Sequence, residues 1–501
     1  MATSMTEESA RPAGGGKTFF GHPRGMATLF MTEMWERFSW YGMRALLVLY
    51  LYTAVTDGGL GIDETTAVAI YGVYNAVVYM AAMPGGWVAD RLWGARKAVL
   101  VGGIVIAAGH FTLAIPNSAV FFVGLGLIAI GTGLLKPNIS AIVGDLYKDL
   151  PNSRRDAGFT LFYMSINIGA LIAPLTVGYL GEHVDWHLGF GLAGVGMTLA
   201  VIQYVLGGRH LGDAGQAPTN PATREERRTA LRRVLLWSGV AAGALLADVL
   251  LGTFEIDHIV NVLAVLGIVV PIGYFVMIFR SPKLTAEARP KVVAFVWFFL
   301  TAVLFWMIFD QSGSLLNIFA DEKTDRFIGG WEFPASWLQA ANPAWVIILA
   351  PLFATLWVKL AQRNREPSTP VKFALAMLLI GGSFALMGLA GATAAASDSG
   401  KVTVFWLLAV YLVQTLGELC LSPVGLSLST KLSPKEFVSQ IMGLWFLAVA
   451  TGNALNGWAT RLNGPLGDAA YYTMWALVAA GAGLAFLAGA RKLRALTGEV
   501  D

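Results

Sequence analysis

The chain is poor in charge. Only 13% of its 501 residues are Asp, Glu, Lys or Arg, 56% are hydrophobic, and the mean hydropathy is +0.61. A soluble protein of this length carries roughly twice that share of charge. Cysteine is nearly absent. Cys420 stands alone, which excludes an internal disulfide framework. The six histidines are scattered and form no Cys/His cluster, so neither a metal nor another cofactor is expected. There is no phosphate-cradling glycine loop and no large soluble domain, which argues against a membrane-embedded enzyme or receptor. A net charge of +3 offers no electrostatic basis for binding nucleic acid. Residues 1–25 hold Arg11, Lys17, Arg24 and the run Gly14-Gly15-Gly16. They have no apolar core ahead of a small-residue cleavage site and read as a tail, not a signal peptide.

What the chain has in abundance is apolar runs of membrane-crossing length. They predict an all-α polytopic membrane protein. Six helices are expected near 26–56, 65–90, 96–115, 119–145, 155–182 and 188–209. A polar linker rich in Pro, Gly, Glu and Arg follows at 210–229, then two apolar runs near 231–252 and 258–280. Six more runs lie near 291–319, 342–362, 370–393, 402–432, 436–463 and 468–491. The organisation is a tail (1–25), a six-helix bundle (26–209), a linker (210–229), an added pair (230–280), a second six-helix bundle (281–491) and a tail (492–501).

Orientation follows from Lys and Arg. Arg91, Arg96 and Lys97, then Lys148, Arg154 and Arg155, then Arg209, Arg224, Arg227 and Arg228, all fall on one side. The stretches 57–64, 116–119, 183–187 and 253–257 on the other side hold no Lys or Arg. Both termini and the linker are therefore expected in the cytoplasm, in a multi-pass protein of the plasma or inner membrane in contact with lipid.

Four ionisable groups interrupt the first apolar run, in Glu33-Met-Trp-Glu36-Arg37-Phe-Ser-Trp40-Tyr41-Gly42-Met-Arg44. At ~100° per residue, Glu33, Glu36, Arg37 and Arg44 fall within an arc of roughly 100°, with Trp40 and Tyr41 on or beside it. Charges at this depth are costly against lipid, so this face points into protein or a watered cavity. Lys136, Asn167, Asp310, Asn342 and Glu418 interrupt other runs, and Pro137, Pro174, Pro351 and Pro423 can break helices where a cavity is lined. Tyr79, Trp306 and Trp445 suit a cavity wall. The cations Arg37, Arg44 and Lys136 lie in the first half, the lone acids Asp310 and Glu418 in the second. Four acids face three cations, so one proton would neutralise the set, though the count does not identify the acid. The competing reading is structural ion pairs, but buried pairs stabilise poorly beside apolar packing. A cavity with opposite charges on opposite walls suits a small zwitterion, read at its two ends and loosely in between.

Four motifs carry a family resemblance. Gly85-Gly86-x-x-x-Asp90-Arg91-x-x-Gly94-x-Arg96-Lys97 resembles the loop signature of the major facilitator superfamily. Glu33-x-x-Glu36-Arg37-Phe-Ser-x-Tyr41-Gly42, Phe162-Tyr163-x-x-Ile-Asn167-x-Gly169 and Gly417-Glu418-x-x-x-Ser422-Pro423-x-Gly425 resemble the three signatures of the proton-coupled oligopeptide transporters. The resemblance covers almost the whole chain. It implies the major facilitator fold, alternating access, and inward symport of dipeptides and tripeptides with protons. It also implies site roles. Glu33, Glu36 and Arg37 would form the proton relay, and Arg44 would pair with Asp310 across the outer gate. Arg37 and Lys136, with Tyr41, would receive the peptide carboxylate. Glu418, Asn167 and Asn342 would receive the ammonium. Tyr79, Trp306, Ser422 and Trp445 would line side-chain pockets. Lys136 and Glu418 are expected to approach when the inner side closes. The chain departs from the pattern at two places: Asp310 stands where the family has Glu, one methylene longer, and Trp40 where it has Tyr. The alternative function is transport of another small zwitterion or anion, such as an amino acid or nitrate. The intact Glu33-x-x-Glu36-Arg37 argues against nitrate.

Overall fold

The computed structural model describes residues 18–434 and 437–497. The tail readings for 1–17 and 498–501 lie outside the described residues. Fourteen long helices run in the order α1 (Gly25–Tyr52), α2 (Glu64–Val88), α3 (Ala95–Leu113), α4 (Ser118–Leu146), α5 (Asn152–Ala173), α6 (Trp186–Gly207), α7 (Arg224–Leu250), α8 (Ile256–Arg280), α9 (Arg289–Phe309), α10 (Ala341–Gln362), α11 (Thr369–Ala396), α12 (Phe405–Lys431), α13 (Val438–Ala459) and α14 (Asp468–Thr497). Twelve described helices are long and apolar enough to cross a membrane; α13 and the charge-bearing α1 are not among them. The fold is two six-helix bundles, α1–α6 and α9–α14, with α7 and α8 between them.

Where apolar helices meet in a membrane, small residues set how closely their backbones approach. Gly131 on α4 faces Gly102 on α3, and a Cβ on either would meet the other's carbonyl oxygen at 2.7 Å. Across the two bundles, a Cβ on Gly72 of α2 would lie 2.9 Å from the Asn453 carbonyl oxygen of α13. The α2–α13 seam is therefore a close contact between halves.

The linker is stitched to the first bundle. Arg96 donates to the Gly208 and Gly212 carbonyls at 2.6 and 2.7 Å, and the Asp90 side chain accepts from Thr219 Oγ1 at 3.0 Å. The loop charges of the superfamily signature thus hold the segment that follows α6. α7 begins at Arg224, inside the stretch read as linker. Thr223 and Glu226 form a reciprocal capping box there, which starts a helix ahead of the apolar run. No residue of α7 is buried. α8, by contrast, lies on α13 and the turn after it. Arg461 pairs with Asp257 at 2.9 Å, Trp458 Nε1 donates to Asn261 at 2.8 Å, and Thr451 donates to the Gly267 carbonyl at 2.7 Å.

Two expectations on helix continuity fail. The helices run through Pro137, Pro351 and Pro423 without a break; Pro174 alone of the four opens an irregular, wide turn, 174–178. The break falls elsewhere, in a run read as one helix. α9 ends at Phe309, a tight 3₁₀ turn occupies Asp310–Gly313, and a short helix Leu315–Glu322 follows. Gly313 makes the turn possible, because a Cβ there would overlap the Tyr71 hydroxyl and approach Arg44 Nε to 2.9 Å. Beyond it, β1 (Thr324–Asp325) pairs in parallel with β4 (Val402–Thr403), and β2 (Phe327–Ile328) pairs antiparallel with β3 (Trp331–Glu332).

Candidate functional site

The four charges of α1 divide into two groups on one face. Arg37 Nε lies 3.1 Å from Glu33 Oε1 and also contacts Glu36 Oε2. All three side chains are almost fully buried, and these contacts lie off the hydrogen-bond direction. Arg37 Nη2 and Glu33 Oε2 have no hydrogen-bond partner. Three ionic groups with unsatisfied donors and acceptors in a buried place are poorly explained by stability. They are well suited to receiving something.

One and two turns along, Arg44 crosses to the second bundle. Its Nη2 lies 3.3 Å from Asp310 Oδ1 and 3.4 Å from Ser312 Oγ, and its Nε donates to the Tyr71 hydroxyl at 2.5 Å. The shorter Asp reaches because it sits on the 3₁₀ turn and not within the helix. Its other oxygen, Oδ2, accepts from Asn453 Nδ2 at 2.6 Å. Tyr71 and Asn453 were not singled out in the sequence. Two amides, Asn453 and Asn456, in the apolar run of α13 were the available signal for Asn453; Tyr71 gave none.

A cavity of about 190 Å³ lies between these groups. Glu33, Arg37, Trp40, Tyr41 and Arg44 line it from α1, Asn75 and Tyr79 from α2, Lys136 and Ser140 from α4, and Asp310 from the second bundle. The Lys136 ammonium stands over the Tyr79 ring, 4.2 Å from its centroid. Among the described residues no carboxylate pairs with it. Trp40 stacks on Tyr74 with ring centroids 5.8 Å apart, filling the wall.

A second, larger cavity of about 1260 Å³ opens between the bundles at the end that bears Lys372, Lys431 and Arg494. Asn167 and Tyr163 of α5 line one side, Pro351 and Trp357 of α10 and Pro423 of α12 the other. Asn167 donates to its own helix, at the Tyr163 carbonyl, 3.0 Å away. Glu418 of α12 accepts from Asn342 Nδ2 at 3.1 Å, and the same amide nitrogen donates to Thr415 at 3.0 Å. Trp306, Asn342, Glu418, Ser422 and Trp445 line neither cavity. Trp445 is packed on Gly425, where a Cβ would overlap its indole, and on Phe373, ring centroids 6.3 Å apart. Trp306 packs edge-on to Phe305 and Phe309. The expected pairing of Lys136 with Glu418 is absent from this arrangement.

The opposite end is shut. The Glu182 carboxylate accepts the backbone N–H groups of Ala335 and Ser336 at 2.7 and 3.0 Å. Tyr52 donates to Asp321, and Asn317 donates to the Ala45 carbonyl at 2.9 Å. Each of these contacts joins one bundle to the other. The arrangement is closed at one end, open at the other, and holds a charged chamber between.

The family model described as the POT family matches residues 96–464. An uncharacterized transporter, YclF, of Bacillus subtilis (strain 168) is 45% identical over 459 residues, 91% of each chain. A di-/tripeptide transporter of Lactococcus lactis subsp. cremoris is 42% identical over 494 residues, 97% of this chain and 98% of its own. Among solved structures, that of a peptide transporter POT in complex with sulfate is similar at a TM-score of 0.92 and 46% identity, covering 96% of this chain and 97% of the other.

Proposed function

This chain belongs to the POT family, and we propose that it carries dipeptides and tripeptides into the cell together with protons, by alternating access. One observation carries the reading. The Arg44–Asp310 pair is neutral, and Arg37 with Glu33 and Glu36 bears one negative charge. That leaves an ammonium, Lys136, lining the cavity from the first bundle and a buried carboxylate, Glu418, on the second, each without an ionic partner among the described residues. A zwitterionic peptide has the complementary ends. Arg37, with its free Nη2, and Lys136, beside Tyr41, take the peptide carboxylate. Glu418, with Asn342 and Asn167, takes the ammonium. Tyr79, Trp306, Ser422 and Trp445 bound the side-chain space.

The relay for protons is Glu33, Glu36, Arg37, Arg44 and Asp310. The bundles 26–209 and 281–491 rock about the site. Arg44–Asp310 closes the outer gate, and Lys136–Glu418 closes the inner one when peptide is gone. The Lys/Arg-rich end with the larger cavity faces the cytoplasm, along with the linker and both termini, so the state here faces inward. The membrane is the plasma or inner membrane. In proteoliposomes, a labelled dipeptide should accumulate under an inward proton gradient, and a protonophore should abolish the accumulation. Accumulation that survives the protonophore would reject proton coupling. Accumulation of free amino acids in preference to dipeptides would reject the peptide substrate in favour of another zwitterion.

A further inference from the structure

Asn453 is fully buried on α13 and touches Asp310 from the second bundle's own side. Its Nδ2 donates to Asp310 Oδ2 at 2.6 Å and to the Val449 carbonyl at 3.1 Å, while its Oδ1 is buried without a hydrogen-bond partner. The two contacts of Asp310 differ in what they span. The Arg44 contact joins the bundles and breaks when they part. The Asn453 contact lies within one bundle and persists.

We propose that Asn453 is a positioning residue for proton uptake at Asp310: its Nδ2–H holds the carboxylate, and its free Oδ1 accepts the O–H once a proton is bound. The inference rests on the reading of Asp310 as a coupling acid. An ionised carboxylate only accepts hydrogen bonds; a protonated one must also donate. Arg44 has donors alone and cannot serve the acid form. An amide has both, so one side chain serves both states. When the bundles part, one proton from the outer side binds Oδ1, the oxygen that Arg44 leaves, and one O–H bond forms. The negative charge at Asp310 is lost, and Arg44 departs with its own proton. A turn of the carboxyl group aims the new O–H at Asn453 Oδ1, while Nδ2–H stays on the other oxygen. Without that acceptor the buried acid would hold an unpaired O–H, a cost that opposes protonation. The charged groups that face Asp310 are Arg37, Arg44 and Glu33 of α1, Lys136 of α4 and, further off, Glu418 of α12; the facing phenols are Tyr41 of α1 and Tyr71 and Tyr79 of α2. α13 itself bears no titratable side chain near the pair, so its contribution there is the amide.

The test uses the full chain in proteoliposomes, with labelled dialanine as the probe. Proton-driven accumulation and peptide counterflow are measured in the same vesicles for Asn453→Leu, Asn453→Gln, Asp310→Asn and the Asn453→Leu/Asp310→Asn pair. Asn453→Leu should lose accumulation about tenfold or more while counterflow persists, since an unpaired buried donor costs that much. Its uptake should also lose the rise from neutral to acidic external pH. Asn453→Gln, which keeps an amide, should recover part of both. In the pair, Asn453→Leu should cost nothing beyond Asp310→Asn, because the two act on one proton. If Asn453→Leu is not recovered folded, Asn453→Ser takes its place in the same comparisons. Wild-type accumulation by Asn453→Leu beside a defective Asp310→Asn overturns the role of Asn453 alone. Equal losses of accumulation and counterflow, with or without Asp310, reduce Asn453 to packing. Wild-type accumulation by Asp310→Asn overturns the premise itself.

Discussion

Lys136 rests over the Tyr79 ring at 4.2 Å, while Glu418 is held by Asn342 on the other bundle. Each charge therefore waits in its own half, supported by a neutral neighbour. A cation over an aromatic face is a modest attraction, roughly 0.5–2 kcal/mol. It is strong enough to park the ammonium and weak enough to yield to a carboxylate, as the proposed roles of Lys136 require.

Lys136→Ala should abolish uptake. In the proposed inner-closed state it would leave Glu418 without its counterpart, and an uncompensated buried charge costs roughly 3–5 kcal/mol, a loss of about 100-fold or more. Initial uptake rates of a labelled dipeptide measure this. A Lys136→Ala protein with normal uptake would remove Lys136 from both the carboxylate site and the inner gate.

The ends of the ligand can be tested without mutation. N-acetylating or C-amidating a good dipeptide should weaken binding by at least ~1.5 kcal/mol, the scale of one charge-assisted hydrogen bond. Competition by blocked peptides at the strength of free ones would refute the assignment of Arg37, Lys136 and Glu418 to the termini.

Asp310→Asn mimics the protonated side chain permanently and cannot cycle. It should lose accumulation against a gradient yet keep some counterflow, which needs no net proton movement. Asp310→Glu should still accumulate. The turn that carries Asp310 lets the shorter side chain reach Arg44 at 3.3 Å, and the longer one has only to fold back. If Asp310→Asn accumulates peptide at the wild-type level, the coupling proton resides at Glu33 or Glu36 instead.

Glu182 gives a prediction about the closed end. Removing its carboxylate leaves two backbone N–H groups, those of Ala335 and Ser336, without their acceptor. That closed end should lose roughly 1–3 kcal/mol. Spin labels at the exposed positions 184 and 328, in a Cys420→Ser background, should report longer distances in Glu182→Ala than in wild type. An unchanged distance distribution would show that Tyr52–Asp321 and Arg44–Asp310 hold that end unaided.

Much of this was legible in the sequence, and the exceptions have a common cause. Charge inside an apolar run is a strong local signal, so the face of α1, Lys136, Asp310 and Glu418 stood out. Run length gave the helices, and proline position misled at Pro137, Pro351 and Pro423. A proline costs a helix one backbone bond and a local bend but does not stop it when neighbours hold the chain. The turn at Asp310–Gly313 carries no proline; it is set by Tyr71 and Arg44 arriving from the other bundle, which no local pattern encodes. Glu182 and Asn453 were missed for the same reason, since each takes its meaning from a partner more than a hundred residues away. The expected Lys136–Glu418 pair is absent here, where Tyr79 and Asn342 hold the two groups apart in their own halves.

α7, which buries nothing, has a consequence of its own. It is tied at its ends, Glu226 to Arg91 at 2.7 Å and Asp248 to His258 at 2.8 Å; between them no side chain is buried, and the tilt of that span follows the bilayer. Its stretch from Val234 to Leu250, interrupted by the charge of Asp248 alone, spans about 25 Å at ~1.5 Å per residue, close to the thickness of a hydrocarbon core. In a thinner membrane α7 must lean, while α8, fastened to α13, cannot follow freely. The short connection at 251–255 would bend to absorb the difference. Membrane thickness is thereby a mechanical input to the pair α7 and α8 that lies between the bundles.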